Sequence, residues 1–284
     1  MSEWLKKKST QQAASKSFVY LLLIGGSILF LIPFIWMLST SFKTLEDVWV
    51  LPPQWIPKPF IWKNYFKALT VLPFFKYTIN TVIITVSCII GTLLSASLVA
   101  YGFARMRFPG KGPLFFILIA TMMIPGQVTL IPTFILFKYL GWIDTFLPLI
   151  VPTFFGGSAF AVFMLRQFFL TIPVELDEAA ILDGCTPFEI YWRIILPLSK
   201  PALGSLAIFV FMGTWNDFLG PLIYINSMDK RTIALGLQAF MGQYAGEWNL
   251  MMAAAVIFLL PCLIIFFVAQ KLFVQGIVVS GVKG

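Results

Sequence analysis

Six stretches of this chain are apolar almost throughout. Ser17–Phe42, Tyr77–Ala104, Gly112–Phe137, Thr145–Leu165 and Trp248–Gln270 contain no Asp, Glu, Lys or Arg, and a sixth, Pro201–Met228, is broken only by Asp217. A helix needs about 20 apolar residues to cross a hydrocarbon core of about 30 Å. Each run meets that length, and none alternates in the short segments of a membrane barrel. The pattern predicts an all-α polytopic membrane protein with six transmembrane helices, at about 18–40, 78–102, 113–136, 146–168, 202–225 and 250–274. They form one membrane domain over 17–275, between a polar N-terminal segment at 1–16 and a C-terminal tail at 276–284. An even number of spans puts both termini on one side.

Pro125, Pro132, Pro152, Gly156, Gly157, Gly213 and Gly220 lie inside the runs. They read either as kinks and close helix contacts or as the ordinary composition of membrane helices. The loop 43–76 is rich in Pro and Trp. Trp favours the membrane interface, so this loop is expected to lie along the bilayer rather than fold as a domain.

Composition sharpens the picture. Only 11% of the 284 residues are charged, against about 25% in a soluble domain. The net charge of +8 is spread over span ends, which suits lipid contact and argues against nucleic-acid binding. With the N-terminus inside, inner segments hold 12 of the 20 Lys and Arg residues and outer segments 8. That bias predicts cytoplasmic N- and C-termini. Lys6, Lys7 and Lys8 precede an apolar run far longer than the roughly 7–15 residues of a signal-peptide core, with no small-residue cleavage site after it. The first helix is therefore expected to be retained. Cys88, Cys185 and Cys262 have neither disulfide nor zinc spacing, so no metal site is expected.

The polar loop 171–200 holds the most informative sequence, EAAILDGCTPFEIYWRIILP from Glu178 to Pro197. Thr171 is placed to cap a helix with Pro173 in its first turn. Glu175, Asp177 and Glu178 suit the positive end of that helix, and Gly184 is its natural stop. Thr186 and Glu189, three apart, predict a capping box opening a second helix that runs to Ile195, with Pro197 and Pro201 beyond it. Two readings remain for this pair. One is a set of interfacial helices tidying a loop. The other is a docking element, with small alanines entering a groove on a soluble protein and the glycine elbow fixing the angle between helices. The chain carries no nucleotide site, because Gly110-Lys111-Gly112 lacks the other residues of a phosphate loop.

Glu178-Ala179-Ala180, Asp183, Gly184, Ile194, Leu196 and Pro197 match the spacing of the EAA loop of ABC importer permeases. Trp215-Asn216-Asp217-Phe218 with Pro221-Leu222 resembles the fifth-span motif of carbohydrate-type permeases. The stretch from Trp248 through Pro261 and Gln270 to Gly281-Val282-Lys283-Gly284 resembles the last span and tail of the smaller, maltose-permease-like subunit. The resemblance implies a type I ABC importer permease fold in a bacterial-type inner membrane, with the loop as cytoplasmic coupling helices. It implies a second, related permease subunit, two ATPase subunits and an extracytoplasmic solute-binding protein as partners. ATP and Mg would sit on the ATPases, with no cofactor on this chain and no catalysis by it. Glu178 would pair with a basic residue of the ATPase, Ala179 and Ala180 would allow close approach, and Gly184 would set the elbow. Gly276, Gly281, Lys283 and Gly284 would form a regulatory tail that senses ATPase closure. Cys185 stands where alanine is usual. The cargo implied is a carbohydrate, a di- or oligosaccharide, with glycerol phosphate as the alternative.

Asp217 is the one charge inside a run, and an intramembrane charge is a functional candidate. The residues before it rise about 24 Å from Pro201, which places it near the outer end of its span. There Asn216 and Asp217 either line a translocation path or serve as locally satisfied polar groups. Asn80 reads as a cavity group or a helix-contact hydrogen bond. A transporter acting alone would want several buried charges and paired broken helices, and only Asp217 is available. An intramembrane enzyme is poorly supported: the chain has no histidine, and no acid pair lies in the spans.

Overall fold

The computed structural model describes the backbone of residues 2–242 and 246–281, and the side chains of 16–242 and 246–270. The described residues are helical, in the order α1 (Ser2–Ser41), α2 (Lys63–Val71), α3 (Phe74–Arg105), α4 (Lys111–Ala120), α5 (Gly126–Tyr139), α6 (Leu147–Ile150) and α7 (Ala159–Thr171). There follow α8 (Glu175–Leu182), α9 (Pro187–Ile190), α10 (Leu196–Leu198), α11 (Lys200–Trp215), α12 (Leu219–Tyr224), α13 (Ile233–Gly242) and α14 (Trp248–Gly281).

Four stretches are long and apolar enough to cross a membrane unaided: Lys16–Ser41, Phe74–Arg105, Leu147–Thr171 and Trp248–Gln270. The third expected span is a bent pair. Lys111–Met123 meets Gly126–Tyr139 at 98°. Pro125 explains the break, because a proline pushes the preceding residue out of helical geometry, and Ile124 is extended with ψ 114°. The fifth expected span also departs from a single helix. Helix α11 stops at Trp215, and a separate α12 follows. The fourth contains a 3-10 turn and two positive-φ glycines, Gly156 and Gly157, before α7.

The chain forms two compact units. One comprises 1–71 and 239–257, the other 72–238 and 258–284. In the first, the loop after α1 is folded rather than merely spread on a surface. Asn64 donates to the carbonyls of Ser41 and Lys43 at 2.9 and 2.8 Å, and Asn249 donates to Lys43 at 3.2 Å. Lys43 is buried with its ammonium 3.9 Å from the Trp36 ring centre. Burial lowers its pKa, and Asp47 partly restores it.

The second unit is built around α3. Small residues let its neighbours approach closely. Ala96 and Ala100 on α3 and Ala161 on α7 are fully buried. A Cβ on Gly157 would lie 2.7 Å from Thr92 Cγ2. The apolar core joins Val162, Leu165 and Phe169 of α7, Ala202 and Leu206 of α11, and Ala180, Ile190 and Ile195 of the loop between those helices. That shared core holds the 171–200 loop against the bundle.

Candidate functional site

The loop between α7 and α11 folds as a helical hairpin. Its first limb, α8, begins at Glu175, not at Thr171. Thr171 closes α7 instead, donating its hydroxyl to the Phe168 carbonyl at 2.7 Å. Glu175, Asp177 and Glu178 occupy the first turn, where the helix dipole favours acids. At the elbow, the Asp183 amide bonds back to Ala179, and Gly184 turns with φ +84°. An L side chain rarely adopts that conformation.

The second limb opens as the spacing predicts. Thr186 Oγ1 accepts from the Glu189 amide at 3.3 Å, and Glu189 Oε2 accepts from the Thr186 amide at 2.9 Å. The Thr186 bonds hold the Glu189 carboxyl below its usual pKa. The limb then passes through a π-helical segment, Tyr191–Ile195, into α10, so it runs three residues beyond the expected end at Ile195. Pro197 lies inside α10, and the chain breaks at Ser199, where this limb meets α11 at 77°.

The hairpin has two unlike sides. Inward, Ala180, Ile190, Tyr191 and Ile195 are buried, with Ile194 and Leu196 packed against the same core. Asp177 is also inward, 3.2 Å from the Arg105 guanidinium at the end of α3. Burial raises its pKa, and Arg105 pulls it back. Outward, Glu178, Ala179, Asp183, Gly184 and Pro197 are exposed. They share that side with large apolar groups: Leu182 is 88% exposed, Phe188 64%, Ile181 60% and Trp192 58%. The two alanines of the motif therefore part company. Ala179 faces out, while Ala180 is 6% exposed and belongs to the core. Ala180 lies about 100° round the helix from Ala179, which brings it onto the buried side.

The remaining candidates lie elsewhere. Asn216 Nδ2 donates to the Met212 carbonyl at 2.8 Å, and Asp217 Oδ1 accepts from the Gly220 amide at 3.1 Å. Both side chains satisfy backbone at the break between α11 and α12. Asn80 makes contact bonds too, donating to the carbonyls of Asp229 and Arg231, each at 2.9 Å. Gly276 and Gly281 fall within the helical backbone of α14 rather than in a separate tail. Lys283 and Gly284 lie outside the described residues. Among the described residues no cluster of His, Cys, Asp and Glu fits a metal.

Residues 92–279 match the sequence profile of the binding-protein-dependent transport system inner membrane component. The chain belongs to that family. The hairpin and all of α3 beyond Thr92 fall within the matched region. The permease is 35% identical over 274 residues to the probable ABC transporter permease protein YurM of Bacillus subtilis, covering 94% of this chain and 86% of that one. It is 34% identical over 263 residues to the arabinooligosaccharides transport system permease protein AraQ of the same organism, covering 91% and 92%. It is 36% identical over 280 residues to the probable starch degradation products transport system permease protein AmyC of Thermoanaerobacterium thermosulfurigenes, covering 93% and 97%. Among solved structures, a bacterial ABC transporter involved in import of the acidic polysaccharide alginate has the same fold. Its TM-score is 0.80 at 24% identity, over 90% of this chain and 95% of that one. The permease thus has the all-α type I importer fold, and it is a multi-pass membrane protein.

The sequence motif mixes outward residues with the inward Ala180, Ile194 and Leu196, and it omits the anchoring pair Arg105 and Asp177. Arg105 closes α3 and belongs to no motif in the linear pattern. Its partner Asp177 looked like one of three interchangeable acids in a first turn. A signal is present: Glu175 and Glu178, three apart, share a helical face that Asp177 does not.

Proposed function

We propose that this permease is the membrane-spanning subunit of an ATP-driven importer that carries a carbohydrate, a di- or oligosaccharide, delivered by an extracytoplasmic solute-binding protein. The outward face of the hairpin docks on a separate ATPase subunit. A second, related permease completes the path, and ATP and Mg are held by the two ATPases. The hairpin, with both termini, faces the cytoplasm of a bacterial-type inner membrane.

One observation carries the docking reading. Ile181, Leu182, Phe188 and Trp192 stand exposed on a polar loop whose other side is anchored in a core. Large apolar groups rimmed by Glu178 and Asp183 mark a surface built to be covered by protein. The relatives support the cargo. AraQ is named for arabinooligosaccharides and AmyC for starch degradation products. An alginate importer of the same fold has been captured with an alginate pentasaccharide-bound periplasmic protein; its chain has a TM-score of 0.66 at 16% identity over 89% of this chain and 93% of that one. Asn216 and Asp217 are better explained as backbone caps than as path lining, since Asn216 Nδ2 and Asp217 Oδ1 each bond a backbone group at the helix break.

Co-purification from membranes tests the docking. Glu178→Arg should reduce ATPase recovery about tenfold, the order expected for one charge-assisted contact. Gly184→Asp should abolish recovery while the chain still inserts. Full recovery with both variants would overturn the proposal. The glycan released from the co-purified binding protein would name the substrate class.

A further inference from the structure

Three residues of α3 reach the hairpin in succession. Ser97, Tyr101 and Arg105 are spaced four apart, so they line one helical face about 6 Å from step to step. Ser97 Oγ lies 2.8 Å from Tyr191 Oη, a buried pair. Tyr101 donates its hydroxyl to the Pro187 carbonyl at 2.9 Å. Arg105 donates through Nη2 to the Ile172 carbonyl at 2.5 Å, and its Nε lies 3.2 Å from Asp177 Oδ2. The Nε pairing is an ion pair without hydrogen-bond alignment, since neither Nε nor Asp177 Oδ1 has a hydrogen-bond partner. Both charged side chains are about nine-tenths buried, at 10% and 11% exposure. The Tyr101 and Tyr191 rings add a contact at 5.3 Å between centres.

These contacts take hold of every part of the hairpin: its lead-in at Ile172, the first limb at Asp177, the start of the second limb at Pro187 and its π-helical segment at Tyr191. The α7 and α11 residues in the same core, Leu165, Phe169, Ala202 and Leu206, are apolar, and both helices also join the hairpin through the chain itself. Apolar packing is non-directional and permits sliding. Buried hydrogen bonds require direction and distance, and they are costly to leave unmade. The hairpin is thus tied to α7 and α11 by chain continuity and to α3, which is distant in sequence, by directed buried bonds.

We propose that Ser97, Tyr101 and Arg105 are positioning residues that make α3 the strut through which hairpin displacement enters the membrane. This rests on the docking reading above. Hairpin and α3 move as one body when the ATPases close, and the other spans follow α3 through packing.

The test uses the full complex of this chain with its second permease, ATPases and binding protein. Spin labels are placed at Arg193→Cys on the hairpin and Leu98→Cys on the exposed side of α3, with the three native cysteines replaced by serine. In the parent, the distance between labels should be the same in nucleotide-free and ATP–vanadate-trapped complexes. The combined variant Tyr101→Phe, Arg105→Gln, Asp177→Asn removes both charges together, so no lone buried charge threatens folding. Its label distance should change on trapping, and stimulation of ATP hydrolysis by the binding protein should fall about tenfold, the order set by losing charge-assisted hydrogen bonds. Basal hydrolysis and ATPase co-purification should persist. A purely structural role would lower the amount of complex without altering stimulation per complex. A parent distance that shifts on trapping, or a variant with unchanged distance and unchanged stimulation, would overturn the strut. Loss of ATPase co-purification from the parent would instead overturn the docking reading.

Discussion

At the residue scale, the clearest single-residue device is Asp144. It is the one non-glycine with positive φ among the described residues, at 61°. Asp tolerates that conformation better than most residues because its short side chain bonds locally. Here it bonds across loops. Its Oδ1 accepts from the amides of Asn226 and Ser227 at 3.0 and 2.9 Å, its Oδ2 accepts from the Ser227 hydroxyl, and the Lys230 ammonium lies 3.1 Å away. The Ser227 hydroxyl and amide, above all, hold its pKa well below the usual carboxylate range. With the folded pKa depressed, this contribution to stability is complete above the unfolded value of about 3.9 and is lost only as pH falls through the folded value. Protection of the Ser227 amide against hydrogen exchange, corrected for intrinsic rate, should therefore hold from pH 7 to pH 5. Asp144→Ala should lower that protection about tenfold at pH 7, the order for a hydrogen bond to a charged group. Equal protection in the variant would remove Asp144 from the latch. Nothing in the linear pattern marks this role, since Asp144 bonds a loop far along the chain.

At the element scale, local chemistry was legible and tertiary partnership was not. The capping box at Thr186 and the turn at Gly184 were readable because each depends on residues within a few positions. Pro125 alone does not decide between a kink and ordinary membrane-helix composition, and the structure places a bend beside it. The break after Trp215 was hidden, because the run is apolar and Asn216 and Asp217 look like isolated polar residues in a span. Both types compete for nearby backbone groups, and here they do so at the helix end. Gly156 and Gly157 show how one dipeptide can carry two different demands. Both have positive φ, at 87° and 61°. An added Cβ meets nothing within 4 Å at Gly156, but at Gly157 it meets Thr92 Cγ2 at 2.7 Å and Thr92 Cα at 3.3 Å. Gly156→Ala should cost about 1–2 kcal/mol from backbone strain alone. Gly157→Ala adds overpacking and should cost about 2–4 kcal/mol. Unfolding in mixed detergent micelles measures both. Equal losses would mean that α3 does not pack as closely on this turn as described.

At the scale of the whole molecule, the number and type of apolar segments defined a polytopic helical protein, and the family followed from motifs spread over the chain. What the linear pattern could not provide was the sidedness of the hairpin. A run such as Glu178-Ala179-Ala180 looks like one patch in sequence. In three dimensions Ala180 serves the core and Ala179 the surface. The same split separates Asp177, paired with Arg105, from the exposed Glu178. The permease thus leaves one face of the hairpin exposed and fastens the other to α3. Contact between the outward face and the ATPase is the central claim, and site-directed disulfide cross-linking tests it most directly. Single cysteines at Ala179, Leu182 or Ala180, in a chain lacking its native cysteines, would be oxidised in membranes holding the assembled transporter with cysteines placed around the ATPase cleft. The account predicts cross-links to the ATPase from positions 179 and 182 and none from the buried position 180. Failure of 179 and 182 to cross-link, with both remaining open to a soluble maleimide in the assembled complex, would contradict it.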